Sequence, residues 1–323
     1  MTVSFIIPLY NCLPLTQAML ASLRATLPTG LAHEIIFVDD GSTDGTRAWL
    51  AALPAPCRAV LNEKNLGFAG ACNRGAAAAT GEFLFFLNND LVLLPAWLEP
   101  MLAAFTRFPD AALVGNVQLN AATGAVDHAG VYFDAQGKPA HRTDVPLLTR
   151  WFGATACRRV DALTGACFGL RRALWTQLGG FDEGFLNGGE DIDLALRASA
   201  AGHAHYVVLH SVVRHHVSQS AGRKLRDEQN SARLARRWSA AIAPLAARAW
   251  SRACLVAHAD QSHVFDYATV QAALLHWLFD LAPPAAVRAG VAAAMERENA
   301  RWRQLLDGAP PPPPPPPVRT DAI

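Results

Sequence analysis

Glu34-Ile35-Ile36-Phe37-Val38-Asp39-Asp40-Gly41-Ser42 is a stretch in which four consecutive apolar residues stop at two carboxylates, a glycine and a serine. A strand buried on both faces reads as such an unbroken run, whereas a half-exposed strand alternates. Upstream, Val3–Leu9 has the same character and ends at Tyr10-Asn11. Downstream, Arg58–Leu61 runs into Asn62-Glu63-Lys64-Asn65, and Glu82–Leu87 runs into Asn88-Asn89-Asp90. Segments of helical period lie between the strands: Pro14–Leu27, with Leu15, Met19, Leu20, Leu23 and Leu27 as its apolar positions, then Thr43–Leu53 and an Ala-rich helix over Gly67–Ala79. A fourth helix follows the fourth strand, from Pro95 to Phe105. A helix between each pair of strands implies parallel pairing. The expected fold class is α/β, a doubly wound, mostly parallel sheet flanked by helices.

Farther along, regularity breaks. A strand is expected at Ala112–Leu119, a helix at Arg171–Leu178 before Gly179-Gly180, and another at Asp191–Ala200 before Gly202. Residues 224–307 are Ala-, Arg- and Leu-rich and read as helical. Eight prolines, Pro310–Pro317, come next. They would form a polyproline II rod of about 25 Å. The expected division is an α/β domain over 1–223, a helical C-terminal extension over 224–308, and a proline-rich disordered tail over 309–323.

Lys+Arg and Asp+Glu number 28 and 27, a net charge of +1, which argues against nucleic acid as a partner. With 51% hydrophobic and 17% charged residues the chain can bury a large core, so general disorder is excluded. No apolar run approaches the ~20 residues of a spanning helix, and no secretory signal pattern opens the chain. A cytoplasmic protein is expected, with attachment to the inner face of a membrane left open. The six cysteines are scattered without a CxxC pair and read as small core residues in a reducing compartment.

Open parallel sheets bind ligands at the carboxyl ends of their strands. All four polar clusters named above fall at such ends. Each alone reads as a turn or helix cap, Ser42 and Asp44 being ordinary N-terminal helix signals. Four together read better as one ligand-binding edge. A further cluster, Glu190-Asp191-x-Asp193, follows the turn Leu186-Asn187-Gly188-Gly189. Three carboxylates in four residues repel unless a cation, a proton or a helix N-terminus relieves them.

These motifs together resemble family 2 glycosyltransferases of the GT-A fold, in the rhamnosyltransferase-like subgroup. The resemblance runs over residues 2–220. It rests on Ser4-Phe5-Ile6-Ile7-Pro8-Leu9-Tyr10-Asn11, Val38-Asp39-Asp40-Gly41-Ser42-Thr43-Asp44, Asn65-Leu66-Gly67-Phe68 with Cys72-Asn73-Arg74-Gly75, and Gly81-Glu82 through Asn88-Asn89-Asp90. It continues through Leu163-Thr164-Gly165-Ala166-Cys167, Gly179-Gly180-Phe181-Asp182-Glu183, Glu190-Asp191-Ile192-Asp193-Leu194 and Val213-Arg214-His215-His216.

The resemblance implies a nucleotide-sugar donor, UDP- or dTDP-linked. Pro8, Tyr10 and Asn11 would lie beside the base. Asp39 would accept from its imide N–H, and Asp40 would face the ribose. Gly67 would let backbone approach the nucleotide, and Asn73 and Asn89 would join the donor contacts. The family's Asp-x-Asp is here Asn88-Asn89-Asp90, with one carboxylate, enough for Mg²⁺ or Mn²⁺ once diphosphate oxygens and water complete the shell. His215 or His216 would add a ligand, His215 being the one assigned. Asp191 is the implied base for a hydroxyl of a glycan or lipid-linked acceptor, with Glu190 and Asp193 supporting the loop and acceptor contacts. A single in-line displacement would invert the anomeric centre. Two other readings stay open: a sugar nucleotidyltransferase, and a non-catalytic nucleotide-sugar-binding protein. Between Arg214 and Arg252 nine Lys/Arg face only Asp227 and Glu228. Arg233, Arg236, Arg237 and Trp238 suit peripheral contact with an anionic membrane, or equally an exposed helix face.

Overall fold

A computed structural model describes residues 1–145, 156–185, 187–216, 223–261, 264–279 and 281–308. The proline-rich tail expected over 309–323 and Leu186 of the Gly-rich turn lie outside the described residues.

The first half alternates as the apolar runs require: β1 (Thr2–Leu9), α1 (Leu13–Thr26), β2 (Ala32–Asp39), α2 (Thr46–Ala51), β3 (Cys57–Leu61), α3 (Gly67–Ala78) and β4 (Phe83–Leu87). In space these strands lie in the order β4-β1-β2-β3, all parallel. Side chains of successive residues leave a strand on opposite faces. Val3, Phe5, Ile7 and Leu9 join a core with Met19, Leu20 and Leu23 of α1 and Leu50 of α2. On the opposite face α3 comes so close to β1 and β2 that a Cβ on Gly75 would fall 2.5 Å from Ile6 Cγ2 and 2.8 Å from Val38 Cγ2. Helices therefore cover both faces.

Two helices start later than their sequence signals. Gly45 takes φ 86° and Asp44 Oδ1 accepts from Thr46 N, so α2 begins at Thr46. Pro95 stands in a turn, where Ala96 takes φ 59°, and α4 (Glu99–Arg107) starts four residues beyond it.

After β4 come the short β5 (Leu91–Leu93), α4, β6 (Ala111–Asn120), β7 (Val126–His128), and the pair β8 (Val131–Phe133) and β9 (Pro139–His141). Then follow β10 (Cys157–Val160), β11 (Cys167–Arg171), α5 (Arg172–Leu178), α6 (Glu190–Ala200) and β12 (Ala204–His215). The strand β11 inserts between β4 and β6, antiparallel to both. β12 runs parallel to β6 and antiparallel to β5 and β10. The sheet is thus mixed around a parallel core.

The chain divides into two compact units. The first comprises Met1–Phe133 and Pro139–Asn230, with the sheet and its flanking helices. The second comprises Asp134–Lys138 and residues from Ser231 onward. It holds most of α7 (Arg223–Asp260), then α8 (Tyr267–Phe279) and α9 (Ala285–Asp307). Trp302 packs there with Ala232 and Ala235, and Lys138 Nζ pairs with Glu298 at 3.3 Å. Among the described residues no helix is long and apolar enough to cross a membrane.

Candidate active site

Strand register builds one polar edge. Leu9 pairs with Asp39, and Asp39 with Leu61, so β1, β2 and β3 end level and deliver Tyr10, Asp40 and Asn62 side by side. Asp40 N donates to Leu9 O, and Asn62 N to Asp39 O, carrying the sheet's bonding one step past its end. Because β11 is antiparallel to β4, its start lies where β4 stops, and Asn88 N donates to Ala166 O. Thr164 and Gly165 are brought to the same edge. Finally His215 pairs with Leu91 across β12 and β5, which sets it against Asp90.

A cavity of about 370 Å³ opens at this edge. Of the residues expected at the site, Pro8, Tyr10, Asp40, Gly67, Asn89, Asp90, Glu190, Asp191 and His215 line it. Tyr10 is exposed. Asp40 is buried and accepts from Leu66 N, Gly67 N and Asn62 Nδ2 at 2.8–3.0 Å, so its carboxylate sits on the positive end of α3. Gly67 has φ 78°, and a Cβ there would approach Asn187 Oδ1 to 3.1 Å. That oxygen accepts from Phe68 N at 2.8 Å, which latches the turn before α6 onto the start of α3.

Asp191 stands in the first turn of α6. Its Oδ2 accepts from Gly165 N at 2.7 Å and its Oδ1 from Ile192 N at 2.8 Å. Burial pushes its carboxyl above the ordinary aspartate range, and those backbone bonds pull downward without cancelling it. A carboxylate raised in this way is a better proton acceptor at neutral pH than a solvated one. Glu190 is buried and accepts from Gly188 N at 2.7 Å, bracing the turn.

Asp90 Oδ1 and His215 Nε2 lie 3.2 Å apart. They are not aligned as a hydrogen bond, and Asp90 Oδ1 and His215 Nδ1 have no hydrogen-bond partner. A carboxylate oxygen without a hydrogen bond of its own, with an imidazole nitrogen 3.2 Å away, fits a divalent cation. No group of three His, Cys, Asp or Glu residues suited to a metal occurs among the described residues. The remaining positions of an octahedral ion would therefore fall to ligand oxygens and water.

Four expected contacts do not line the cavity. Asn11 bridges to the segment after β2: its N donates to Ser42 Oγ and its Oδ1 accepts from Thr43 N. Asp39 is fully buried and bound by Arg47 Nε at 2.6 Å. Asn73 holds the Phe181 backbone and Glu183 Oε1. Asp193 is fully buried against Arg197 at 2.8 Å, whose guanidinium also donates to Leu178 O and Gly180 O. Each carboxylate or amide is engaged inside the protein, which is why none reaches the cavity. Cys12 and Arg226 also line the cavity, and neither belongs to a motif in the sequence. Cys12 takes φ 59° just before α1, and Arg226 comes from the first turns of α7.

Residues 4–162 match the family model described as glycosyl transferase family 2. Over those residues the chain belongs to that family. It is 33% identical over 226 residues to the O-antigen biosynthesis protein RfbC of Myxococcus xanthus, covering 68% of this chain and 17% of that protein. It is 29% identical over 240 residues to the N-acetylglucosaminyl-diphospho-decaprenol L-rhamnosyltransferase of Mycobacterium tuberculosis, covering 66% of this chain and 76% of that one. The crystal structure of GalNAc-T7 with UDP, GalNAc and Mn²⁺ superposes with a TM-score of 0.62 at 18% identity, covering 77% of this chain and 50% of that chain. The fold of this chain is thus GT-A, a mixed, mostly parallel sheet flanked by helices, with further helices following in sequence. The chain spans less than a fifth of the Myxococcus protein.

Proposed function

We propose that the chain is an inverting glycosyltransferase that moves a sugar from a nucleoside diphosphate, UDP or dTDP, to a hydroxyl of a glycan or lipid-linked acceptor. The observation that carries this reading is the meeting in one cavity of the Asp191 carboxylate, the Asp90–His215 pair and a nucleotide-sized wall of Pro8, Tyr10, Asp40 and Gly67. The names of two relatives, an O-antigen biosynthesis protein and a rhamnosyltransferase with a diphospho-decaprenol acceptor, favour a cell-envelope polysaccharide.

Tyr10 and Pro8 would hold the base, and Asp40 the ribose. Asp39, Asn11 and Asn73 act one layer behind, fixing the wall. Asp90 and His215 would hold Mg²⁺ or Mn²⁺, as the GalNAc-T7 structure holds Mn²⁺ with UDP, and the ion would supply positive charge to the diphosphate. Arg226 adds the side-chain charge that the shortened Asn88-Asn89-Asp90 motif makes more necessary. Asp191 takes the acceptor's hydroxyl proton as the oxygen attacks the anomeric carbon. The bond from that carbon to the phosphate oxygen breaks, and the nucleoside diphosphate leaves from the opposite face. Asp193 serves α6 through Arg197 and touches no substrate. Arg233, Arg236 and Arg237 are exposed, with Arg237 over the Trp238 ring at 5.4 Å, which suits working at the cytoplasmic face of an anionic membrane.

The test is a panel of UDP- and dTDP-sugars with Mn²⁺, read as release of nucleoside diphosphate. Release from one donor, abolished by a chelator, is expected. Binding of a donor without any release, with or without acceptor extracts, would favour a non-catalytic binding protein instead.

A further inference from the structure

The helix α8 is turned inside out. Its sequence, Tyr267–Phe279, carries no charged residue. Its buried residues are Ala273 and His276. Val270 and Trp277 are half-buried, but the other large apolar side chains point to solvent: Tyr267 is 73% exposed, Leu275 52%, Leu278 54% and Phe279 63%, with Leu274 at 41% and Leu281, just past the helix, at 59%. At 100° per residue Tyr267, Leu274, Leu275, Leu278 and Phe279 fall within one arc opposite Ala273 and His276. An amphipathic helix ordinarily buries such an arc.

We infer that this face is the contact between two copies of the chain, related by a twofold axis. Three observations select that occupant. The six side chains present on the order of 700 Å², larger than the usual apolar patch of a monomer and close to the ~800 Å² that each partner gives to a standard interface. The composition, leucine and aromatic residues without charge, is that of an interface centre. And the segment between Arg252 and Arg288 has no lysine or arginine but contains Asp260, Asp266 and Asp280. That acidity is wrong for an anionic bilayer, on which an interfacial helix carries a basic polar face. A self-complementary apolar face with no like-charge repulsion at its centre meets the requirement of an isologous dimer.

Light scattering coupled to size exclusion across a dilution series tests this. The whole chain is expected at twice its own mass, falling to the single mass on dilution. Leu275→Glu/Leu278→Glu is expected to abolish the dimer at every concentration while leaving the circular dichroism spectrum unchanged, since both positions already face water. Phe279→Ser serves as a milder second variant, expected to weaken the dimer at least tenfold. A wild-type chain monomeric throughout, or a double variant that still dimerises, would overturn the inference. So would a monomer that co-sediments with phosphatidylcholine–phosphatidylglycerol vesicles and loses that binding in the double variant, because the face would then belong to the bilayer.

Discussion

Arg226 is the one lysine or arginine among the described residues lining the cavity, where the carboxylates of Asp40, Asp90, Glu190 and Asp191 gather. A diphosphate brought there adds further negative charge, so one guanidinium has a large effect in this setting. Removing a charge-assisted hydrogen bond costs about 1.5–3 kcal/mol, roughly ten- to a hundredfold in affinity. Calorimetry on Arg226→Gln is expected to show that loss for UDP and none for uridine, which lacks phosphates. Equal weakening of both would place Arg226 away from the diphosphate. Nothing local in the sequence marks this residue, because it reaches the site only through the course of α7. Asp193 is the reverse case. Its place among three acids made it look like a site residue, yet Arg197 stands four positions on, the spacing of a helical ion pair, and that spacing was legible.

Elements were legible where their pattern is local. The runs of β1 to β4 and the helices between them follow from apolar continuity and period. By contrast, β11 and β12 enter the sheet through partners more than forty residues away, β5 is three residues long, and antiparallel insertion beside a parallel core leaves no periodic mark. Glu34, near the start of β2, shows how the parallel core is fastened. Its carboxylate accepts from Ser4 Oγ at 2.5 Å, Thr80 N at 2.7 Å and Arg58 at 2.6 Å, tying β2 to β1, to β3 and to the turn before β4. Burial pushes its pKa up, but the bonds from Ser4, Thr80 and Arg58 outweigh that and bring it from 4.5 to about 2. A carboxyl depressed on folding stabilises fully above its unfolded pKa, and the contribution is lost as pH falls through the folded one. Thermal melts of wild type and Glu34→Gln should therefore differ most at neutral pH, converge below pH 4.5, and coincide near pH 2 in the contribution of this group. A gap independent of pH would contradict the role given to its charge.

At the scale of the molecule, a GT-A sheet unit carries the cavity and a helical unit follows it. The order of motifs along the chain made the sheet unit readable, and with it the edge at which the cavity opens. The short segment Asp134–Lys138, which belongs with the helices, and the outward face of α8 were not readable, since both depend on which helix surfaces meet. In the proposed reaction the chemistry converges on a single side chain: Asp191 is held by Gly165 N and raised by burial, so the acid limb of its kcat/KM profile should lie above the ordinary aspartate range. The most direct measurement is transfer by Asp191→Asn beside its donor affinity. Donor binding is expected to stay at the wild-type value while turnover falls by about 10²- to 10⁴-fold, the range for loss of a general base. Near-wild-type turnover with intact donor binding would contradict the assignment of Asp191 as the base.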